Sequence, residues 1–296
     1  MALKNESIKE ILTRHGFYFS KSKGQNFLID ANIPEKIARL SQIGPEDGVL
    51  EVGPGAGALT RELSRAAGSV AAVELDRRLL PILDEVLAEY ENVQIIEGDI
   101  LKLDIAKLCA DKLPGRTLRV CANLPYNITT PALTAFIGAG VFETITVMIQ
   151  REVAQRICAA PGSSEYGAFT VFANFHAQAT RLFDVPPECF MPRPKVWSSV
   201  ITLTPHKARL LTPEDEARFF RVVRAAFAQR RKTLVNALYA AFGNTLTREA
   251  LTQIVTACGF NPQIRGERLG TEEFIKLAAF FPPDTKKRID EKARML

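Results

Sequence analysis

Cysteine and histidine are scarce in this 296-residue chain, which holds five of the first and three of the second. Cys109, Cys121, Cys158, Cys189 and Cys258 are odd in number, widely spaced and form no CxxC, so no disulfide scaffold is expected and reduced thiols in a cytoplasmic setting are. His15, His176 and His206 form no HExxH, and no metal is expected. No apolar run approaches the roughly 18 residues that cross a bilayer, and the opening MALKNESIKEILTRHG lacks the apolar stretch and small-residue cleavage site of a signal peptide. A GxxxxGK[ST] string is also missing, which argues against an NTPase. What is present, 47% hydrophobic and 24% charged residues, can bury a large core in about two domains and excludes disordered and collagen-like chains.

Charge is unevenly spread. Residues 1–206 carry 21 basic and 23 acidic side chains, whereas 207–296 carry 17 and 10, net +7. An anionic partner for the last third follows, nucleic acid ahead of membrane. From Val49 to Gln150, apolar β-rich runs (VLEVG, VAAVEL, VQIIEGD, RVCANLP, TITVMIQ) alternate with helical spacing, the habit of a parallel sheet covered on both faces. SIKEILTRHG and IPEKIARLSQI read as two leading helices; a helix near 168–177 and the strands ATRLFDV and VWSSVITL complete the sheet with antiparallel members. Around Thr204 to Thr212 the pattern changes, and TPEDEARFFRVVRAAFAQRRKTLVNALYAAFG (212–243), REALTQIVTACG and TEEFIKLAAFF follow as three helical segments with no strand between them. The predicted division is an α/β domain over 1–206 and an all-helical domain over 207–296.

Chemistry concentrates at strand ends. Gly53, Gly55 and Gly57 follow the first β run and open a helix, so backbone can approach a ligand there. Glu74 ends the second run, 21 residues after Gly53, where a carboxylate can accept both ribose hydroxyls. A GxGxxA dinucleotide loop is one reading; Pro54 removes a donor from the turn that would hold a pyrophosphate and favours a nucleoside without phosphates. Asp99, ending the third run, suits the exocyclic amine of adenine, with Ile100 packing on the ring, or else caps a helix. Asn123-Leu124-Pro125-Tyr126 ends the fourth run and is the most specific element. The lone pair of an aromatic amine is delocalised, so a methylating site must hold its two N–H groups by acceptors. The Asn123 side-chain oxygen and the Leu124 carbonyl can supply them, Pro125 fixes the chain, and Tyr126 can stack on the base. Arg221, Arg224, Arg230, Arg231 and Lys232 lie within twelve positions with no acid among them, and Arg221, Arg224 and Arg231 are expected on one helix face toward nucleic-acid phosphate, with Lys21 and Lys23 as a second contact. A solvated basic face is the other reading.

Taken in order, Gly24-Gln25-Asn26-Phe27-Leu28, Glu51-Val-Gly53-Pro54-Gly55, Glu74-Leu-Asp76, Gly98-Asp99, Asn123-Leu124-Pro125-Tyr126-Asn127 and Phe190-Met-Pro192-Arg-Pro194-Lys-Val196 closely resemble the ribosomal RNA adenine N6,N6-dimethyltransferases. The segments around Ala225–Leu234 and Arg265–Leu269 resemble the bacterial small-subunit branch of that family. The resemblance implies a Rossmann-like S-adenosylmethionine-dependent methyltransferase domain with a mostly parallel seven-stranded sheet and a smaller all-helical C-terminal domain that binds RNA. It implies dimethylation of two adjacent adenosines near the 3′ end of small-subunit ribosomal RNA, on an immature small subunit, by a monomer. Cofactor contacts then fall on Gln25, Asn26, Leu28, Gly53, Gly55, Glu74, Asp99, Ile100 and Asn123, and Phe190 becomes an aromatic that stacks on the target base opposite Tyr126. Met191 and Trp197 receive no role. Three alternatives stand beside this: a non-catalytic nucleic-acid-binding assembly or transcription factor of the same fold, an N6-adenine methyltransferase for DNA or another RNA, and a nicotinamide-dependent oxidoreductase. The last leaves Asn123–Tyr126 unexplained.

Overall fold

The computed structural model describes residues 8–19 and 25–282. The chain divides into two units, Met1–Ala154 with Ala179–Pro205, and Gln155–Gln178 with His206–Leu296. The second boundary lies next to the expected one, but the stretch 155–178, assigned from sequence to a domain over 1–206, packs with the helical unit. Its apolar side chains give the reason: Tyr166, Val171 and Phe175 are buried in one core with Phe219, Val222, Leu238 and Phe274.

Nine strands occur among the described residues: β1 (Phe27–Leu28), β2 (Asp47–Val52), β3 (Ser69–Glu74), β4 (Val93–Glu97), β5 (Thr117–Asn123), β6 (Thr144–Gln150), β7 (Ala177–Val185), β8 (Phe190–Met191) and β9 (Ser198–Pro205). Seven form one sheet in the order β4-β3-β2-β5-β6-β9-β7. The pairs from β4 to β6 are parallel, and β9 runs antiparallel to β6 with Gln150 opposite Ser198. The chain steps from β2 outward to β4 and then returns to β5 on the other side of β2. That reversal leaves a crevice at the carboxyl ends of β2 and β5, where open α/β sheets bind ligands. β2 (DGVLEV) is buried at all six positions. One of its acids, Asp47, is neutralised by the Arg119 guanidinium at 2.8 Å, whereas Glu51 forms no ion pair among the described residues. β1 and β8 pair separately, Phe27 opposite Met191 and Leu28 opposite Phe190.

Around the sheet lie α1 (Ile8–Arg14), α2 (Asn32–Leu40), α3 (Ala58–Ala66), α4 (Leu80–Val86), α5 (Ile105–Lys112) and α6 (Thr129–Ala139). α1 buries Ile11 and Leu12 against Leu79, Ile82 and Leu83. Beyond its last turn, Arg14 and His15 clasp the Glu85 carboxylate, each at 2.6 Å, which pulls that carboxyl down to about 2.

α7 (Arg151–Ile157) follows β6, and the helical unit contains α8 (Ala168–His176), α9 (Pro213–Ala228), α10 (Leu234–Phe242), α11 (Arg248–Ala257) and α12 (Thr271–Ala278). The long segment expected as one helix over 212–243 is two. Gln229 leaves helical geometry at φ −135°, and Thr233 restarts the helix as an N-cap whose hydroxyl accepts the Asn236 N–H at 3.4 Å. Leu234 N–H is meanwhile taken by the Ile264 carbonyl at 2.7 Å. The core of this unit centres on Tyr166, fully buried, whose hydroxyl donates to the Leu269 carbonyl at 2.8 Å and is pushed up to about 12 by burial. Tyr166→Phe leaves that carbonyl without its partner, and chemical denaturation followed by circular dichroism should show a loss of about 1–3 kcal/mol.

Candidate active site

A cavity of about 240 Å³ opens at the carboxyl ends of β2, β3 and β5, several times the roughly 30 Å³ occupied by one water. The strand-end residues singled out from sequence meet here: Gln25, Asn26, Leu28, Gly53, Gly55, Glu74, Asp99, Ile100, Asn123, Leu124, Pro125 and Tyr126 all line it. Their convergence follows from topology, since each parallel strand delivers its last residue to the same edge.

The glycine loop is built for close approach. Gly53 and Gly55 hold φ of +68° and +61°, the left-handed region, and a Cβ on Gly55 would stand 3.1 Å from the Phe27 ring. Glu74, 5% exposed at the end of β3, accepts the Asp76 N–H at 2.7 Å and the Gly55 N–H at 3.3 Å. The carboxylate thus fixes the loop as well as facing the cavity, and burial pushes its pKa up. Gln25 is anchored through its amide to Asp76 Oδ2 at 2.9 Å. Asp99 caps no helix: its Oδ1 accepts the Leu101 N–H at 3.1 Å within a turn, and the residue lines the cavity beside the buried Ile100.

Asn123 is oriented by a neighbour from far along the chain. Its Nδ2 donates to the Asn26 carbonyl at 3.3 Å. The opposite amide orientation would set oxygen against oxygen, so this contact leaves Oδ1 as an acceptor for a ligand. β1 makes the contact possible, because its pairing with β8 holds the Gln25–Leu28 string against the sheet edge. Tyr126 is fixed at its tip by Ser198, Oη to Oγ 2.7 Å, and burial pushes its hydroxyl up.

Two expected residues sit elsewhere. Phe190 is not among the cavity-lining residues; it is 3% exposed and packs with Leu28, Val185 and Val200, because its register opposite Leu28 turns the ring into the core. Arg221 is turned inward within the helical unit, its guanidinium on the Pro282 carbonyl and 5.0 Å from the Phe242 ring centroid. Arg224 is exposed on α9, but Arg231 and Lys232 fall in the break after it and share no helical face with it; Arg230 donates to the Ser164 carbonyl and lies 3.5 Å from Glu267. Lys21 and Lys23, with Gly24, lie outside the described residues.

Glu51 is the residue the motif reading passed over. It lines the cavity, is 1% exposed, and its Oε2 makes no hydrogen bond among the described residues, with the Thr60 hydroxyl and the Glu74 carboxylate nearby. Burial raises its pKa to about 8, so the carboxyl is mostly protonated at pH 7. The signal was present in the sequence: an acid inside VLEV, a strand apolar on both faces.

A parallel sheet with a glycine loop after its first central strand, an acid after the next and Asn-Leu-Pro-Tyr across the switch point defines a nucleoside-binding methyltransferase of the Rossmann-like class. Comparison with known proteins narrows the class. Residues 16–265 match the ribosomal RNA adenine dimethylase family, and the chain belongs to that family. It is 45% identical over 271 residues to the ribosomal RNA small subunit methyltransferase A of Lachnoclostridium phytofermentans, covering 91% of this chain and 93% of that one. With the protein of the same name from Lactiplantibacillus plantarum it shares 46% over 272 residues, 91% and 92% of the two chains. Among solved structures, a dimethyladenosine transferase from Plasmodium falciparum superimposes with a TM-score of 0.71 at 25% identity, over 85% of this chain and 95% of that one. The 23S rRNA methyltransferase ErmE does so with 0.67 at 25% identity, over 86% and 98%.

The chain is therefore an rRNA adenine dimethyltransferase, and its methyl donor is S-adenosylmethionine. The cavity fits that group. Its lining offers an acid at a strand end for hydroxyls, an apolar flank at Ile100, positive-φ glycines that admit a close ligand, and a buried Glu51 carboxyl whose Oε2 makes no hydrogen bond among the described residues and is left for a polar group of the ligand.

Proposed function

We propose that this enzyme dimethylates N6 of two adjacent adenosines near the 3′ end of small-subunit (16S) ribosomal RNA, acting as a cytoplasmic monomer on immature small subunits. The relatives named small subunit methyltransferase A support the choice of subunit. The observation that carries the chemistry is the Asn123 amide, tied by its nitrogen to Asn26 and offering its oxygen to the cavity.

S-adenosylmethionine supplies an electrophilic methyl on a sulfonium. Glu74 takes the ribose hydroxyls, Asp99 the adenine amine and Ile100 the ring face, while Gly53, Gly55, Gln25, Asn26 and Leu28 close the remaining walls. The target adenine, flipped out of its strand, stacks on Tyr126, whose ring is held at the right height by Ser198. Asn123 Oδ1 and the Leu124 carbonyl accept the two N6 hydrogens and turn the nitrogen lone pair toward the methyl. As positive charge develops on that nitrogen, the same two carbonyl dipoles stabilise it. Neither group accepts a proton at neutral pH, so the proton leaves to water after transfer. Phe190 supports this site from the core behind it. Arg224, Arg230, Arg231 and Lys232 place the helical unit on RNA phosphate, a contact that weakens as salt rises; Arg221 braces the helices that present them.

The test is methyl transfer from labelled S-adenosylmethionine to unmethylated small subunits, with the modified nucleoside identified by mass spectrometry. N6,N6-dimethyladenosine at two adjacent positions is expected. Tight, salt-sensitive RNA binding without any transfer would overturn the reading in favour of a binding factor of the same fold.

A further inference from the structure

Beside the cavity, on the same unit, an aromatic side chain stands exposed with no role in the chemistry above. Trp197, the chain's one tryptophan, is 41% exposed, and Val196 before it is 43% exposed. Leaving so large an apolar surface in water forgoes burial worth on the order of 2–3 kcal/mol for a big side chain, so its placement calls for a partner. The backbone holds it firmly. Arg151 N–H donates to the Trp197 carbonyl at 2.9 Å, continuing the β6–β9 ladder one step past the Gln150–Ser198 pair. The Arg151 guanidinium lies 5.2 Å from the indole centroid, over the ring. Pro192 and Pro194 stiffen the approach from the other side.

Its position relates it to the site. The next residue, Ser198, is fully buried and bonds the Tyr126 hydroxyl at 2.7 Å. One peptide unit and one hydrogen bond therefore separate the exposed indole from the tyrosine that lines the cavity. Around it the charge is cationic: Arg151 over the ring, and Lys195 and Arg193 exposed on the same loop, with Glu188 as the acid paired to Arg193 at 3.4 Å. An aromatic face with guanidinium and ammonium groups about it is complementary to a nucleotide, base on the ring and phosphate on the cations.

We propose that Trp197 and Arg151 form a subsite for a nucleotide flanking the target adenosine, the indole stacking on its base and Arg151 with Lys195 holding its phosphate. The inference rests on the RNA-methylating reading above, since a flipped adenosine in the cavity brings its chain neighbours to this rim. The subsite binds substrate and leaves the reacting atoms alone, so it acts on KM.

The experiment compares wild type, Trp197→Phe and Trp197→Ala in methyl transfer to unmethylated small subunits, with initial rates over a range of particle concentrations. Trp197→Ala is expected to raise KM about tenfold at unchanged kcat, Trp197→Phe to recover most of the loss, and Arg151→Ala to raise KM and flatten its dependence on salt. A Trp197→Ala enzyme with the wild-type KM would overturn the proposal while leaving the reaction intact. In a second arm, protein-free small-subunit ribosomal RNA, which contributes no tryptophan emission, is titrated into the enzyme. Saturable quenching of Trp197 is expected; unchanged emission while RNA anisotropy reports binding would again overturn the subsite. Quenching without any methyl transfer by wild type would instead remove the reading of the reaction and leave a nucleotide-binding rim.

Discussion

Asn123→Ala should lower the rate of methyl transfer at saturating substrate by about 10²–10³-fold, the loss seen when one preorganised dipole is removed from a transition state that develops charge. The structure says why the residue has no substitute. Its amide nitrogen is occupied by the Asn26 carbonyl, so the oxygen is aimed before substrate arrives and spends nothing on reorientation. Alanine removes that acceptor from the target amine, and only the Leu124 carbonyl remains to orient the lone pair. It also strips Asn26 of a donor, so β1 should loosen at the cavity edge and affinity for the methyl donor should fall by a smaller factor. Single-turnover rates measured at saturating donor separate the two effects. A variant whose single-turnover rate stays within threefold of wild type would show that Asn123 does not hold the reacting nitrogen.

Glu51→Gln should remove a pH dependence of stability. In the fold this carboxyl titrates at about 8 because it is buried, with the Glu74 carboxylate adding to the effect; the ordinary value for the unfolded chain is 4.5. Between those limits the folded state keeps a proton that the unfolded state has released. Stability from this site is therefore complete below pH 4.5 and is lost as pH rises toward 8, with a slope of up to about 1.4 kcal/mol per pH unit. Glutamine does not titrate, so the difference in unfolding free energy between variant and wild type should grow in favour of the variant from pH 5 to pH 8 and level off above. Denaturant unfolding at unit pH intervals measures it. Parallel pH profiles for the two proteins would mean that Glu51 is ionised in the folded chain.

Much of this site is legible in the sequence, and the reason is geometric. Gly53, Glu74, Asp99 and Asn123 each follow a run of buried β residues, and parallel strands deliver such residues to one edge. The sequence is less informative where partners are remote. Nothing in Phe27-Leu28 or Phe190-Met191 announces that they pair, and without that pairing neither the anchor for Asn123 nor the inward turn of Phe190 can be inferred. The helix expected near 168–177 shows from its spacing that a face is buried and not against what, so the membership of 155–178 in the helical unit is hidden. The orientation of Arg221 is hidden for the same reason: a cation on a helix next to Val222 and Val223 can point outward, or can set its guanidinium over Phe242 and cap a carbonyl, as here. Glu51 is legible as an acid in an apolar strand, but the glycines beside it account for the loop without it.

The pairing of β1 with β8 also sets an order on how the enzyme comes into being. A chain that leaves the ribosome from its N-terminus presents Asn26 early, together with β2 to β6 soon afterwards, but the strand that holds residues 27 and 28 in place is made only when synthesis passes Met191. Until then the growing polypeptide can assemble its parallel strands and glycine loop with one wall of the pocket missing. The modifying enzyme of the ribosome thus acquires a complete donor site only in the last third of its own translation.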